Sequence, residues 1–182
     1  MLQGKKINLQ GLRRIQLNFW QKFLFILGML FIFLGTFLLI EPYLYFCRVK
    51  NEPIDKESLY CLINKARHKQ GFRLLKSDSR LEKAAEFRAL DIVAHNYFSH
   101  QSDSGMSKRE AAIKSGYYYK LTGEILAKNF DNNKDIFNAW MKSASHSIVV
   151  LNPYYQDIGI AVLNSDRMPE GGIVVVGLFG SL

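Results

Sequence analysis

The sequence has few cysteines and lacks several well-known catalytic motifs, and these absences exclude whole classes of protein. Two cysteines in 182 residues are too few for a disulfide scaffold or a four-cysteine zinc module. Neither a collagen-like glycine period nor a heptad repeat is present. The H-E-x-x-H motif of metalloproteases and the nucleophile elbow of hydrolases are also missing. With 48% hydrophobic and 22% charged residues, the composition is that of a folded protein.

The positive charge of the chain is unevenly distributed. The formal net charge is +8, which would ordinarily suggest a nucleic-acid partner. Residues 1–46 carry five basic residues and one acidic residue, so they hold +4, and residues 47–182 hold the other +4. The longer part contains no lysine and arginine cluster interleaved with aromatic residues. We therefore expect no nucleic-acid partner.

The N-terminal part contains one long apolar run. Residues 23–40 read FLFILGMLFIFLGTFLLI, without a charge or an amide. About 20 apolar residues in a helix cross a bilayer core, and the flanking aromatic residues suit the membrane interfaces. A buried core helix would show a polar face, and a cleavable signal peptide has a shorter apolar core followed by a small-x-small site. The run therefore predicts an uncleaved signal anchor that spans a membrane.

Basic residues flanking the run predict its orientation. Five precede it, whereas Arg48, Lys50 and Lys56 follow it, which favours a cytoplasmic N-terminus and an extracytoplasmic C-terminal domain. Outside the cytoplasm, Cys47 and Cys61 either form a disulfide or remain thiols. The predicted division is a cytoplasmic segment 1–22, an anchor 23–46, a linker 47–56 and an outer domain 57–182.

Helices precede strands in the outer domain. Two S-x-x-E capping boxes, Ser79 with Glu82 and Ser107 with Glu110, predict helix starts. Strands are predicted over 121–127, 158–163 and 173–179, the last two joined as a hairpin. These two are apolar on both faces, so helices should cover both sides of the sheet. The order indicates an α+β fold, a three-layer α-β-α sandwich with a small antiparallel sheet behind the membrane helix.

The candidate chemical groups are histidines and one glutamate. His68 lies on a polar helix face, and His95 ends a helix, where it complements the helix dipole. His100 lies in a polar loop and His146 at a helix junction. Glu124 lies inside an apolar strand, where a carboxylate needs a partner or an open cleft. Spacing alone does not make a motif of these last three residues.

Short motifs surround these residues in a characteristic order. The order is Phe98-Ser99-His100, Gly116-Tyr117, Gly123-Glu124, Trp140-Met141-x-Ser143-x-x-His146, Ile158-Gly159 and Gly177-Leu178-Phe179-Gly180. The order resembles the CAP superfamily of cysteine-rich secretory, antigen-five and pathogenesis-related proteins (the SCP domain). It is most similar to the compact bacterial branch. The resemblance covers roughly residues 57–182.

The resemblance implies an α-β-α sandwich with a cleft lined by His100, Glu124 and His146. Members of the family have been seen with divalent metal at such histidines, some bind sterols or other lipids, and proteolysis has been proposed for a few. This sequence has Ile125 where an asparagine usually follows the glutamate, and Ser147 where an arginine commonly follows the second histidine. A second cleft glutamate has no match, which leaves a three-residue site. Ser143 lies three residues before His146 and is expected to cap a helix rather than act as a nucleophile.

The residues leave two functions open. Two histidines and a glutamate are the ligand types of an open zinc site, so a divalent metal such as zinc is the expected cofactor if one is bound. The favoured function is a membrane-tethered extracytoplasmic module that binds a lipid, cell-wall or protein ligand, or metal, without turnover. The alternative is a peptidase-like metal-dependent hydrolase, in which His100, Glu124 and His146 would be catalytic.

Overall fold

The computed structural model describes residues 18–50, 53–101, 105–164 and 172–182, and for residues 33–46 it describes the backbone only. These residues divide into two compact units, with the boundary between Tyr43 and Leu44. The described residues form six helices and four strands: α1 Phe19–Phe46, α2 Lys56–Lys69, β1 Lys76–Ser77, α3 Ser79–Ala94, α4 Lys108–Lys114, β2 Leu121–Lys128, α5 Asn133–Lys142, α6 Ala144–Val150, β3 Asp157–Asn164 and β4 Ile173–Ser181.

Helix α1 contains the apolar run, and all but its last three residues belong to the first unit. It begins with a reciprocal cap, in which Gln21 N donates to Asn18 Oδ1 at 2.8 Å and Asn18 N donates to Gln21 Oε1 at 3.0 Å. Within the described part of the chain, no helix combines the length and hydropathy needed to cross a bilayer. The predicted anchor runs from 23 to 46, and the side chains of residues 33–46 lie outside the described part.

The second unit is built on a four-stranded sheet in the order β1-β3-β4-β2. The long strands β2, β3 and β4 pair antiparallel, as predicted, and β3 and β4 align Asn164 with Ile173. The loop predicted between them spans 164–172, and its residues 165–171 lie outside the described part. Strand β1 pairs parallel to β3, so the prediction of a purely antiparallel sheet is wrong at this edge. Two residues are too short to show the alternation that marks a strand.

Helices cover both faces of the sheet. Alternate residues of β4 enter different cores, because side chains along a strand point to opposite faces. Val174, Val176 and Leu178 pack with α3 and α4. Val175 and Phe179 pack with residues of α2, α5 and α6. The apolar character of β4 on both faces thus produces the three layers predicted from the sequence.

Helix starts agree with one predicted capping box and not with the other. Ser107 and Glu110 form the expected reciprocal box at α4. At α3 the N-cap is Asp78, whose carboxylate accepts from Arg80 N at 2.9 Å, so the box predicted at Ser79 and Glu82 is wrong. The Glu82 carboxylate instead accepts hydrogen bonds from the side chains of Lys56, Tyr60 and Ser77. An ammonium partner outcompetes a backbone amide for that carboxylate.

Of the two states left open for the cysteines, the structure has the disulfide. Cys47 and Cys61 are bonded, with their Cα atoms 5.7 Å apart. The bond fixes the start of the second unit to α2. Cross-linking residues 14 apart restricts the unfolded chain and so favours the folded state.

Gly159 marks the closest approach of α3 to the sheet, and it generates a prediction. A Cβ atom there would overlap the backbone of Leu81 and Glu82. At Gly177 a Cβ would overlap the Ile125 side chain, at 2.8 Å from Cγ1, which can move, and would touch Phe179 Cε2 at an ordinary 3.6 Å. We expect Gly159→Ala to lower the free energy of unfolding by about 3 kcal/mol and Gly177→Ala by about 1 kcal/mol. Urea unfolding followed by Trp140 fluorescence in a Trp20→Phe background measures both, and equal losses would contradict the assigned close approach.

Candidate functional site

Glu124 is the centre of the polar cluster on the α3 side of the sheet. Its side chain is fully buried in β2. Oε1 accepts from Arg88 Nε at 2.8 Å, and Oε2 lies 2.8 Å from His100 Nδ1 and 3.4 Å from Arg88 Nη2. Both carboxylate oxygens are therefore occupied by protein groups, which is the partnering that the sequence required of a carboxylate in an apolar strand.

Arg88 is the residue that sequence reasoning missed. It lies on α3 with no side-chain exposure, and its guanidinium also donates to Tyr97 Oη, Ser99 O and Met106 O. The missed signal is its position three residues after Ala85 and seven after Leu81, on the helix face that carries the apolar residues. A buried guanidinium needs acceptors for its N–H groups, and here Glu124 on β2 supplies a carboxylate among them.

A tight reversal after α3 brings His100 back to Glu124. Asn96 has φ of 52°, the left-handed conformation that asparagine tolerates at a helix end, and Tyr97 N donates to Ile92 O at 3.1 Å. His95 is the helix C-cap, as its predicted position at the helix end implied.

Asp91 secures the loop that follows this reversal. Its carboxylate accepts from Tyr97 Oη and from Met106 N, the latter at 2.8 Å. It also lies 3.6 Å from Arg88 Nη1. We call Arg88, Asp91, Tyr97 and Glu124 the arginine network. It binds the segments on both sides of residues 102–104, which lie outside the described part.

His146 completes the predicted trio from the other side of the cluster. It lies in the first turn of α6, and its ring centroid is 6.0 Å from that of His100, with the planes at 62°. Ser143 occupies the N-cap position of α6, as expected, but its side chain makes no capping bond and lies 3.0 Å from Ser145 Oγ. Among the described residues, none forms a hydrogen bond with His146. We call His100, Glu124 and His146 the histidine cluster.

Burial and charge set the protonation of the cluster. Burial raises the pKa of Glu124, but the hydrogen bonds from His100 and Arg88 and their charges outweigh it, so the pKa lies below its usual range. Burial alone would lower the pKa of Arg88, and the contacts with Glu124 raise it instead. Burial, and then the proximity of His100, lower the pKa of His146. At neutral pH the cluster thus contains an ionised Glu124 carboxylate and a neutral His146 ring.

The arrangement limits what each residue can do chemically. An ionised Glu124 accepts the hydrogen bond of His100 Nδ1, so Nε2 is the nitrogen of that ring that Glu124 does not engage. Protein donors engage both oxygens of Glu124, so its expected parts as a direct metal ligand or a general base would have to coexist with those hydrogen bonds. Within the ranges that the structure describes, no three His, Cys, Asp or Glu residues are grouped to hold a metal ion. The catalytic and three-ligand roles of the trio stay predictions, while the two imidazoles remain available to a ligand.

Comparison with known proteins identifies the family. The model of the CAP, or cysteine-rich secretory protein, family matches residues 60–179, so the chain belongs to the CAP family. The family predicted from the ordered motifs is thereby confirmed.

Bacterial proteins are among its relatives. The chain is 36% identical over 104 residues to the uncharacterized protein YkwD of Bacillus subtilis, across 57% of this chain and 40% of YkwD. It is 26% identical over 113 residues to the uncharacterized membrane protein YlbC of the same organism, across 62% of this chain and 33% of YlbC. The chain thus spans less than half of either relative.

A solved structure agrees with the fold. An outer surface protein from Borrelia burgdorferi superposes with a TM-score of 0.62 at 29% identity, and the match covers 72% of this chain and 98% of that one. The chain therefore has the CAP fold in the compact form found in bacteria.

The buried ion pair generates a prediction. Arg88→Met leaves Glu124 buried without its main counter-charge, so we expect the free energy of unfolding to fall by about 3–5 kcal/mol. Arg88→Met combined with Glu124→Gln should recover part of that loss, because no unpaired charge is then buried. Urea unfolding measures both. Arg80→Met, which removes an arginine that pairs with Asp78 at the surface, is the control and should change little. If the double variant lost more free energy of unfolding than Arg88→Met and Glu124→Gln lose in total, the pairing would be contradicted.

Proposed function

We propose that this chain is an extracytoplasmic binding module whose histidine cluster holds a polar ligand without turning it over. The observation that carries the proposal is the double occupation of Glu124 by Arg88 and His100. A carboxylate held in this way orients an imidazole and is not free to abstract a proton from water. The two rings, 6.0 Å apart, leave nitrogens that no described residue occupies.

A divalent metal is the ligand with which the cluster is best tested. Metal-binding histidines commonly donate their other ring nitrogen to a carboxylate, and Glu124 stands in that relation to His100. The lowered pKa of His146 keeps that ring neutral, as ligation requires. His100 and His146 would hold the ion, while the remaining positions would belong to water or to a bound lipid, cell-wall or protein group. The ion would act as a Lewis acid that coordinates an oxygen of that group.

Zinc titration of the full chain in detergent micelles tests this proposal. We expect uptake of one Zn²⁺ that is lost in His100→Ala and in His146→Ala. Glu124→Gln should weaken it by about 10–100-fold, because the carboxylate only orients its histidine. His68→Ala is the matched control and should bind like the parent, since His68 is a surface residue outside the cluster. Equal zinc affinity in the parent and in both cluster variants would contradict the proposal.

The same samples separate binding from hydrolysis. A metal-dependent hydrolase would cleave a fluorogenic peptide library in a manner abolished by chelation and by Glu124→Gln. We expect no such cleavage, because Glu124 is already committed to Arg88 and His100. If peptide cleavage were observed and were abolished both by chelation and by Glu124→Gln, the hydrolase hypothesis would replace the proposal of a binding module.

We extend the proposal to location: the module is tethered to a membrane through α1, with the N-terminus in the cytoplasm. The uncharged run 23–40 and the excess of basic residues before it support this orientation. Helix α1 has 28 residues, or about 42 Å at about 1.5 Å per residue, and a bilayer core is about 30 Å thick. YlbC is described as a membrane protein and the Borrelia relative as an outer surface protein, which agrees with a tethered module.

Carbonate extraction of membranes and protease treatment of intact cells test the tether. The chain should remain in the carbonate pellet, and external protease should remove the C-terminal domain. Phe31→Arg places a charge near the middle of the run, at a cost of about 3 kcal/mol, and should shift the chain toward the soluble fraction, whereas Phe31→Leu should not. A chain that carbonate releases completely would refute the tether and leave the zinc result unaffected.

A further inference from the structure

Strand β1 is so short that it covers only the start of β3. The rest of β3 is therefore the edge of the sheet. The first half is covered by β1 and by a tyrosine. Along it, Gln156 O accepts from Lys76 N at 2.9 Å, Ile158 O accepts from Asp78 N at 3.1 Å, and Ile160 N donates to Tyr60 Oη at 3.0 Å. The backbone groups on this side are thus satisfied one after another as far as Ile160 N.

The covering ends at that point. Backbone groups of alternate residues in a strand point to the same side, so those of Val162 and Asn164 face away from β4 as those of Ile160 do. Among the residues that the structure describes, none hydrogen-bonds to Ile160 O or to the outward groups of Val162. This open edge of β3, residues 160–164, presents donors and acceptors at strand spacing.

A cavity of about 450 Å³ lies along the open edge, between it and α3. On the α3 side its lining includes Ala89, Leu90 and Glu86. The Leu90 side chain is 55% exposed although it is large and apolar. The Glu86 carboxylate has no hydrogen bond or ion pair with any described residue, whereas nearby Lys56 is paired with Glu82 at 2.7 Å. The cavity therefore offers an apolar contact and one unpaired negative charge.

We propose that this groove binds an extended segment of another polypeptide, which adds a strand to the open edge of β3. A polypeptide is the occupant that supplies both a donor for Ile160 O and an acceptor for Val162 N at strand spacing, and an acyl chain supplies neither. The segment has an apolar side chain over Ala89 and Leu90 and a basic one, two residues along on the same face, against Glu86. The groove is lined from α3 by Glu86, Ala89 and Leu90, and it shares no residue with the arginine network or the histidine cluster.

Fluorescence anisotropy with a designed peptide tests the proposal. The probe is fluorescein-labelled VTKTV, amidated at its C-terminus and added to the full chain in lipid nanodiscs. Val162→Pro removes the outward N–H at an edge position where proline is tolerated, and it should weaken binding at least about tenfold. Val162→Ala keeps the N–H and should stay within about threefold of the parent. Glu86→Gln should weaken binding because the lysine of the peptide loses its partner.

Backbone-methylated peptides keep the test decisive even if Val162→Pro misfolds. Strand addition uses the backbone groups along one edge of the peptide only. N-methylation of one alternate set of residues should therefore abolish binding to the parent protein, and methylation of the other set should not. Absence of binding by VTKTV, or equal binding of both methylated forms, would overturn the proposal. A fluorescent fatty acid that binds in its place and is lost in Leu90→Ser would assign the groove to lipid and overturn it equally.

Discussion

A buried guanidinium on α3 connects the sheet to the loop that carries the first histidine. Removing a charge of this kind from water costs several kcal/mol, and only a full set of acceptors makes it tolerable. Arg88 finds that set in Glu124, in Asp91 nearby, and in Tyr97 and two backbone carbonyls. Because these acceptors come from β2 and from the loop, Arg88 links α3 to both of them at once.

The fold was predictable wherever the sequence pattern reflects burial on a regular element. The uniformly apolar residues of β4 have their cause in helices on both faces, and the Ser107 box lies at a helix start that nothing else disturbs. The prediction failed where tertiary contacts decide. The Glu82 carboxylate accepts a hydrogen bond from the Lys56 ammonium instead of forming the expected capping box. Strand β1 has only two residues, and its strand geometry depends on pairing with β3.

The order of the motifs predicted which residues belong to the candidate site, but it did not predict which of them contact one another. Spacing gave no reason to join His100 with Glu124, yet the structure places their side chains 2.8 Å apart. Arg88 could have been found as a charged residue on a buried helix stripe. The occupation of both Glu124 oxygens depends on how the loop after α3 folds back, with Asn96 in the left-handed conformation, and no local pattern encodes that path.

The disulfide between Cys47 and Cys61 decides what a proteolytic cut near the start of the second unit can release. It closes a covalent ring that contains the whole segment from residue 47 to residue 61, and so includes the polar stretch before α2. A single cut inside that ring leaves both fragments joined through sulfur. A cut before residue 47 would thus release the C-terminal domain by itself, whereas a cut inside the ring would also require reduction of the disulfide.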